Sequence, residues 1–352
     1  QGLTPREALE AAGCAIPDSG LSEDLQQGFD LAKRLNEGFQ QTHNEIDNIL
    51  VALDGKYVSP GTGGAPDRNP AMVPTGRNMY VMNPEEVPSQ PSWELAKVLV
   101  DQLLELQMKK NGRYPNKVAF SLASSATFQD FGVMEAEILY LIGVRPVWDA
   151  SNLVNDVKVI PAAELGRPRV DVFIALNNFY LDTLPSRMHL IDKAIRKVAE
   201  LEEQENLVRS NSLRILGELT QQGVDPDRAA KLSTARFFGE APGHLGKFRY
   251  GRYVERSGEW DSLDDIMKIY LESESHVYTE GIWGEKSVET YRSQVQGVEV
   301  VLRNWSDRTR SPLANEYMGW ARGGALAAAV KYVTGEEPEF MYSDVRDPDN
   351  AC

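Results

Sequence analysis

From Lys117 to Leu201 the chain alternates between two periodicities, and that order limits the fold more than any other feature. Val118, Phe120 and Leu122 recur at every second residue, the spacing of a strand. Met134, Ile138 and Leu141 follow at helical spacing over 133–142 and lead to Gly143. Further strands are predicted at Val144–Trp148, at 157–160 and at 169–174, where Val170, Val172 and Ile174 alternate. Pro185 then opens a helix through Met188, Ile191, Ile195, Val198 and Leu201. This order predicts an α/β fold: an open, mostly parallel sheet with flanking helices.

An N-terminal helical segment precedes it. Leu25, Phe29, Ala32 and Leu35 mark a helix over 22–39 with Ser22 as N-cap. A second helix at 43–53 has Thr42 and Glu45 as a capping box and Ile46, Ile49, Leu50 and Leu53 as its apolar face. From it the chain runs into Asp54–Asn78, a stretch rich in glycine and proline. Loops beyond roughly 12–15 residues are usually functional or disordered. Tyr57, Met72, Val73 and Tyr80 supply anchors, so an ordered loop over a site is expected. Ser92 is read as the cap of the next helix, which Asn111-Gly112 ends.

The region 205–352 reads as mainly helical with closing strands at Val298–Leu302 and Phe340–Tyr342, the latter suited to a sheet edge. Helices start at Asp225-Pro226 and at Asp261 or Ser262; others span 286–296 and Gly323–Val333. The expected domains are thus 1–53, 54–92, 93–204 and 205–352.

A net charge of −15 argues against a nucleic-acid partner, which needs clustered Lys and Arg. No apolar run reaches the roughly 18–20 residues of a membrane span. Two cysteines, Cys14 and Cys352, lie far apart without metal or redox spacing, which points to a reducing, cytoplasmic setting. A chain starting at Gln1 is expected to be processed or part of something longer.

No familiar catalytic motif is present. Gly61-Thr62-Gly63-Gly64 lacks the Lys-Ser/Thr of a phosphate loop and follows no strand. The four histidines form no metal-spaced pair, but His244 sits in Ala241–Gly246, pinned by proline and two glycines, as a candidate metal contact or a plain loop residue. Arg145, Arg167 and Arg169 lie at predicted strand ends, where they either clamp a ligand carboxylate or pair with Glu164 or Asp171. Ser124, Ser125 and Thr127 follow the first strand and either bind a ligand or cap a helix. Trp283, read as the start of a helix, either stacks on a flat ring or packs.

Several motifs, taken in order, resemble the large subunit of the tetrapyrrole metal chelatases, the family of cobaltochelatase CobN and the H-type large chain of magnesium chelatase. They are Gly55-Lys56-Tyr57, Asp67-Arg68-Asn69-Pro70, Pro74-Thr75-Gly76-Arg77-Asn78, Leu141 to Trp148, Glu164 to Val172, Ala235-Arg236-Phe237-Phe238-Gly239 and Gly323-Gly324-Ala325. The resemblance spans about Asn44 to Asp349. It implies the C-terminal portion of a longer subunit that binds a porphyrin, haem or corrinoid and takes a divalent metal, cobalt or magnesium, as substrate. An upstream portion and a separate AAA+ ATPase partner, the site of ATP use, are implied with it. Two departures stand out: Leu122 to Thr127 lacks the family's Trp and acidic residue, and Ala175 to Asp182 lacks two arginines. They leave room for an HmuS-like haem dechelatase or a non-catalytic tetrapyrrole carrier. Chelation needs a base for the ring N–H protons, with Glu135 and His244 as candidates, His244 also for the metal. The substrate-binding candidates are Lys56, Tyr57, Arg77, Asn78, Ser124, Ser125, Arg145, Asn177, Arg236 and Trp283.

Overall fold

A computed structural model describes residues 4–13, 23–63, 70–80, 82–243, 256, 258–305 and 323–345. The chain divides into two compact units, Gln1–Met82 and Asn83–Cys352.

In the first unit Thr4 and Glu7 cap α1 (Pro5–Ala11) reciprocally. Helices α2 (Glu23–Phe39) and α3 (Asn44–Leu53) match the expected periodicity; Ser22 lies outside the described residues. The capping box at Thr42 does not form. The chain turns continuously from Phe39 into α3, and His43, the residue before the helix, is itself helical. An N-cap needs an extended backbone to aim its side chain at the first turn. The long loop is ordered where described, its ends joined as a parallel pair, β1 (Pro60–Thr62) with β2 (Asn78–Tyr80). Ile46, Ile49, Leu50 and Leu53 share a face of α3 as predicted, but that face stays 60–80 % exposed.

The second unit is built on a seven-stranded sheet. Five strands run parallel: β3 (Lys117–Leu122), β6 (Asp171–Leu176), β7 (Phe237–Gly239), β10 (Val298–Trp305) and β11 (Glu339–Asp344). β8 (His276–Thr279) and β9 (Ile282–Lys286) add an antiparallel hairpin, for the order β11-β10-β3-β6-β7-β8-β9. All six residues of β3 are buried, because helices cover both faces. Val118, Phe120 and Leu122 join one core with α4 (Gln90–Asn111), α6 (Val133–Leu141) and α9 (Pro185–Ala199). Ala119 joins the other, with Phe173, Phe238, Val301 and the helices Leu207–Gln221, Leu263–Glu274 and Ala325–Thr334.

Three expectations change. β4 (Val144–Trp148) and β5 (Val154–Val159) pair with each other and stay out of the main sheet. Asp149 accepts from the amides of Ser151 and Leu153 and closes a hairpin, whereas a parallel insertion needs a crossover of about a dozen residues. The C-terminal region holds β7, β8 and β9, too short for a periodicity to register, so Trp283 lies in a strand and does not start a helix. Ser89 caps α4, accepting from Ser92 N; Ser92 instead donates to Asp130 O at 2.6 Å. β11 does close the sheet edge as expected. Among the described residues no helix is long and apolar enough to cross a membrane.

Candidate functional site

In the second unit the strand order reverses between β3 and β10. Ligands of open α/β sheets bind outside the carboxyl ends of strands at such a point. Beyond β3, α5 (Ser124–Asp130) ends at Phe131 and Gly132, both with positive φ, and turns into α6. Asp130 Oδ1 accepts from the amides of Gly132 and Val133 at 3.0 and 3.1 Å and fixes the turn. Beyond β6, Asn177 donates its amide to Leu122 O and caps α8 (Asn178–Thr183), accepting from Tyr180 N.

The first eight positions of α6 hold two carboxyls among apolar residues, and the helix is buried nearly all round. Both carboxyls are therefore inside the protein. Glu135 Oε1 accepts from Thr127 Oγ1 at 2.6 Å and from Tyr180 Oη at 2.9 Å, while its Oε2 has no partner. Burial raises its pKa against the pull of those two donors and of Arg187. Glu137 is fully buried, and neither oxygen has a hydrogen-bond partner. Burial, then the Asp130 and Glu135 charges, push its pKa well up; the Asn304 amide beside it lowers it, though outside hydrogen-bond geometry. Both amide atoms of Asn304, Ser343 Oγ and Ser124 Oγ are also buried and unpartnered. Asn304 and Ser343 face each other in the β10–β11 register.

In the first unit Lys56, Tyr57, Arg77 and Asn78 line one cavity of about 860 Å³ with an apolar wall that includes Ile49, Val58 and Met79. Ligand cavities typically measure roughly 300–1,000 Å³. Arg77 donates to Pro74 O and Ala71 O, which holds its stem against the loop. Asn48 donates to Gly76 O at 2.8 Å and ties the loop's end to α3. A Cβ on Gly76, at φ +84°, would lie 2.5 Å from the Asn44 carbonyl carbon, so this close approach requires glycine. Lys56 pairs with Asp54 at 2.8 Å, in the open; Tyr57 is 80 % exposed.

The remaining candidates are dispersed. Ser124, Ser125, Glu135 and Asn177 gather at the carboxyl ends of β3 and β6. Arg236 precedes β7, at the amino end of the sheet, fully buried with Nε on Asp171 at 2.9 Å. Arg145 is in the β4–β5 hairpin, 3.6 Å from Glu164 in the short helix α7 (Ala162–Leu165). Arg169 is buried on Glu203 and the carbonyls of Ile142, Gly143 and Ile160; Arg167 donates to Tyr140 O and Leu141 O and lies over the Tyr140 ring. Each of these arginines is engaged with protein groups, and Arg169 and Arg236 precede β6 and β7 at the amino end of the sheet, away from the carboxyl ends where ligands of such sheets bind. Trp283 stacks on His189 at 5.3 Å. His244 lies outside the described residues. Sequence reasoning missed Glu137, Asn304 and Ser343. The available signal was Glu135-Ala136-Glu137 inside an otherwise apolar helix. Among the described residues no three His, Cys, Asp or Glu side chains are grouped to hold a metal.

A family model described as CobN/Magnesium Chelatase matches residues 7–352. An uncharacterised protein of Methanocaldococcus jannaschii is 31 % identical over 94 % of this chain and 27 % of its own length. The chloroplastic magnesium-chelatase subunit ChlH of Oryza sativa subsp. japonica is 37 % identical over 67 % of the chain and 16 % of its own. The catalytic subunit of cobaltochelatase from Mycobacterium tuberculosis superposes with a TM-score of 0.79 at 32 % identity, over 92 % of this chain and 27 % of that one. The chain thus spans about a quarter or less of the length of these relatives.

Proposed function

Since this chain belongs to the CobN/magnesium chelatase family, we propose that it is part of a chelatase large subunit and that its first unit holds the tetrapyrrole. The observation that carries this reading is the meeting of Lys56, Tyr57, Arg77 and Asn78 on one cavity. A tetrapyrrole is a flat apolar ring with carboxylate side chains on its rim. An apolar wall beside an ammonium and a guanidinium matches both parts. Insertion of a divalent cobalt or magnesium ion releases two ring protons, so charge balances without oxidation or reduction. ATP hydrolysis falls to a separate AAA+ partner.

The test is a spectral titration of the chain with protoporphyrin, haem and a metal-free corrinoid. Lys56 and Tyr57 are exposed, so Lys56→Glu and Tyr57→Ala leave the fold intact. A saturable shift with one of these rings is expected, weakened about tenfold by Lys56→Glu, the loss of one favourable charge contact. No saturable shift with any ring, or shifts indifferent to both substitutions, overturns the reading.

A further inference from the structure

The carboxyl end of the second unit's sheet carries more hydrogen-bonding capacity than the protein uses. Glu137, Asn304 and Ser343 are 0, 5 and 1 % exposed. Among the described residues no hydrogen bond of good geometry reaches either Glu137 oxygen, either Asn304 amide atom or the Ser343 hydroxyl, although the Asn304 amide lies beside Glu137. Buried polar groups in native proteins are nearly always partnered, and burying one alone costs on the order of 1–3 kcal/mol or more. Several unpartnered groups at one place therefore mark the position of a guest.

The groups also define the guest's chemistry. Glu137 offers two carboxyl oxygens, Asn304 an amide oxygen and Ser343 a hydroxyl. α6 packs on β10, and the Asn304 amide is beside Glu137. Ser343 sits opposite Asn304 in a parallel pair, so both side chains project to the same face. The carboxyls of Asp130 and Glu135 act on Glu137 with like sign, and among the described residues no lysine or arginine acts on it. Such an acceptor-rich place, with no lysine or arginine at Glu137 among the described residues, suits a cation. Oxygen donors alone, with no sulfur or imidazole, suit a hard divalent ion.

We infer that Glu137, Asn304 and Ser343 bind a hard divalent cation at the point where the strand order reverses. Its assignment as the metal substrate rests on the chelatase reading; the site itself does not. The bound ion gives the unpartnered oxygens of Glu137, Asn304 and Ser343 their ligand.

The experiment titrates the full chain, without tetrapyrrole, with Mn²⁺ followed by electron paramagnetic resonance and with Co²⁺ followed by absorbance. One ion per chain is expected, with a weak six-coordinate cobalt spectrum. Glu137→Gln, close to isosteric, weakens binding at least tenfold, and Asn304→Asp, which adds a carboxylate, tightens it. Mn²⁺ raises the melting temperature of the native chain and not that of Glu137→Gln. Absence of bound ion, or binding unchanged in both variants, overturns the inference. The two variants shift affinity in opposite directions, so a folding defect in one leaves the other decisive. A chain that binds a tetrapyrrole but no ion refutes the cation site alone. A chain that binds the ion but no ring keeps the site and loses its assignment to substrate.

Discussion

Asp171 and Arg236 form an ion pair with no solvent exposure, Nε to Oδ1 at 2.9 Å, across the amino ends of β6 and β7. Lys117 Nζ lies 3.2 Å from the other Asp171 oxygen, which also accepts from Asn211 Nδ2 at 2.9 Å. Arg236 donates further to Ser233 O and Ser212 Oγ, and Lys117 to Gln294 O. Burial raises the Asp171 pKa, but Arg236 and Lys117 outweigh it and hold the carboxyl low. The two ends of one sheet therefore differ in kind. Asp171, Arg236 and Lys117 at the amino end are paired within the protein, while at the carboxyl end Glu137 has no hydrogen-bond partner among the described residues.

Asp171→Asn leaves two buried cations without their counter-charge. We expect a loss of about 3–5 kcal/mol, the usual result of removing one partner of a buried pair. Urea denaturation of the native chain and the variant measures it.

Lys117 makes stability depend on pH. Burial, with the like charge of Arg236 and against the pull of Asp171, brings its pKa down to about 8. Below that pH the folded and unfolded chains both carry the proton. Between there and about 10.4, the unfolded value, only the unfolded chain carries it. Stability from this group therefore rises with pH across that window, by at most about 3 kcal/mol. Urea denaturation should show the native chain gaining on Lys117→Met from pH 8 upward; a constant difference would sink the expectation.

Glu137 has the opposite sign. Its raised pKa lets the folded chain keep a proton that the unfolded chain loses above about pH 4.3. Stability from this group is greatest in acid and declines as pH rises, until the folded carboxyl ionises. Glu137→Gln removes the decline, and in chelator-treated buffer at neutral pH the variant should be more stable by roughly 1–3 kcal/mol. Thermal melts over a pH series check both sign and size.

Gly76→Ala combines a left-handed backbone with a 2.5 Å approach to Asn44. The conformation alone costs roughly 1–2 kcal/mol and overpacking about 1–3 more. Gly55→Ala, also at positive φ but with nothing within 4 Å of the added carbon, bears only the first part. Hydrogen exchange at α3 and β2 should show faster opening in Gly76→Ala than in Gly55→Ala, and ring binding should fail in the former.

The cavity in the first unit was legible because its residues are near one another in the chain. Lys56, Tyr57, Arg77 and Asn78 flank one loop, and the β1–β2 pair has only to join its ends. The surroundings of Glu135 were half legible. A carboxyl in an apolar helix shows in the sequence, whereas its donors Thr127 and Tyr180 belong to other elements. Arg145 and Arg236 could not be placed beforehand. A strand end faces ligand or interior according to strand direction and sheet membership, and neither is local.

By itself the sequence determined the kind of each long element, since helical and strand periodicities are properties of neighbouring residues, and with them the α/β class. Tertiary structure alone decided which end of the sheet each charge occupies. Glu137 meets Asn304, and Asp171 meets Arg236, only through contacts between residues far apart in the chain. Those distant neighbours settle whether a buried ionisable group finds a partner within the protein.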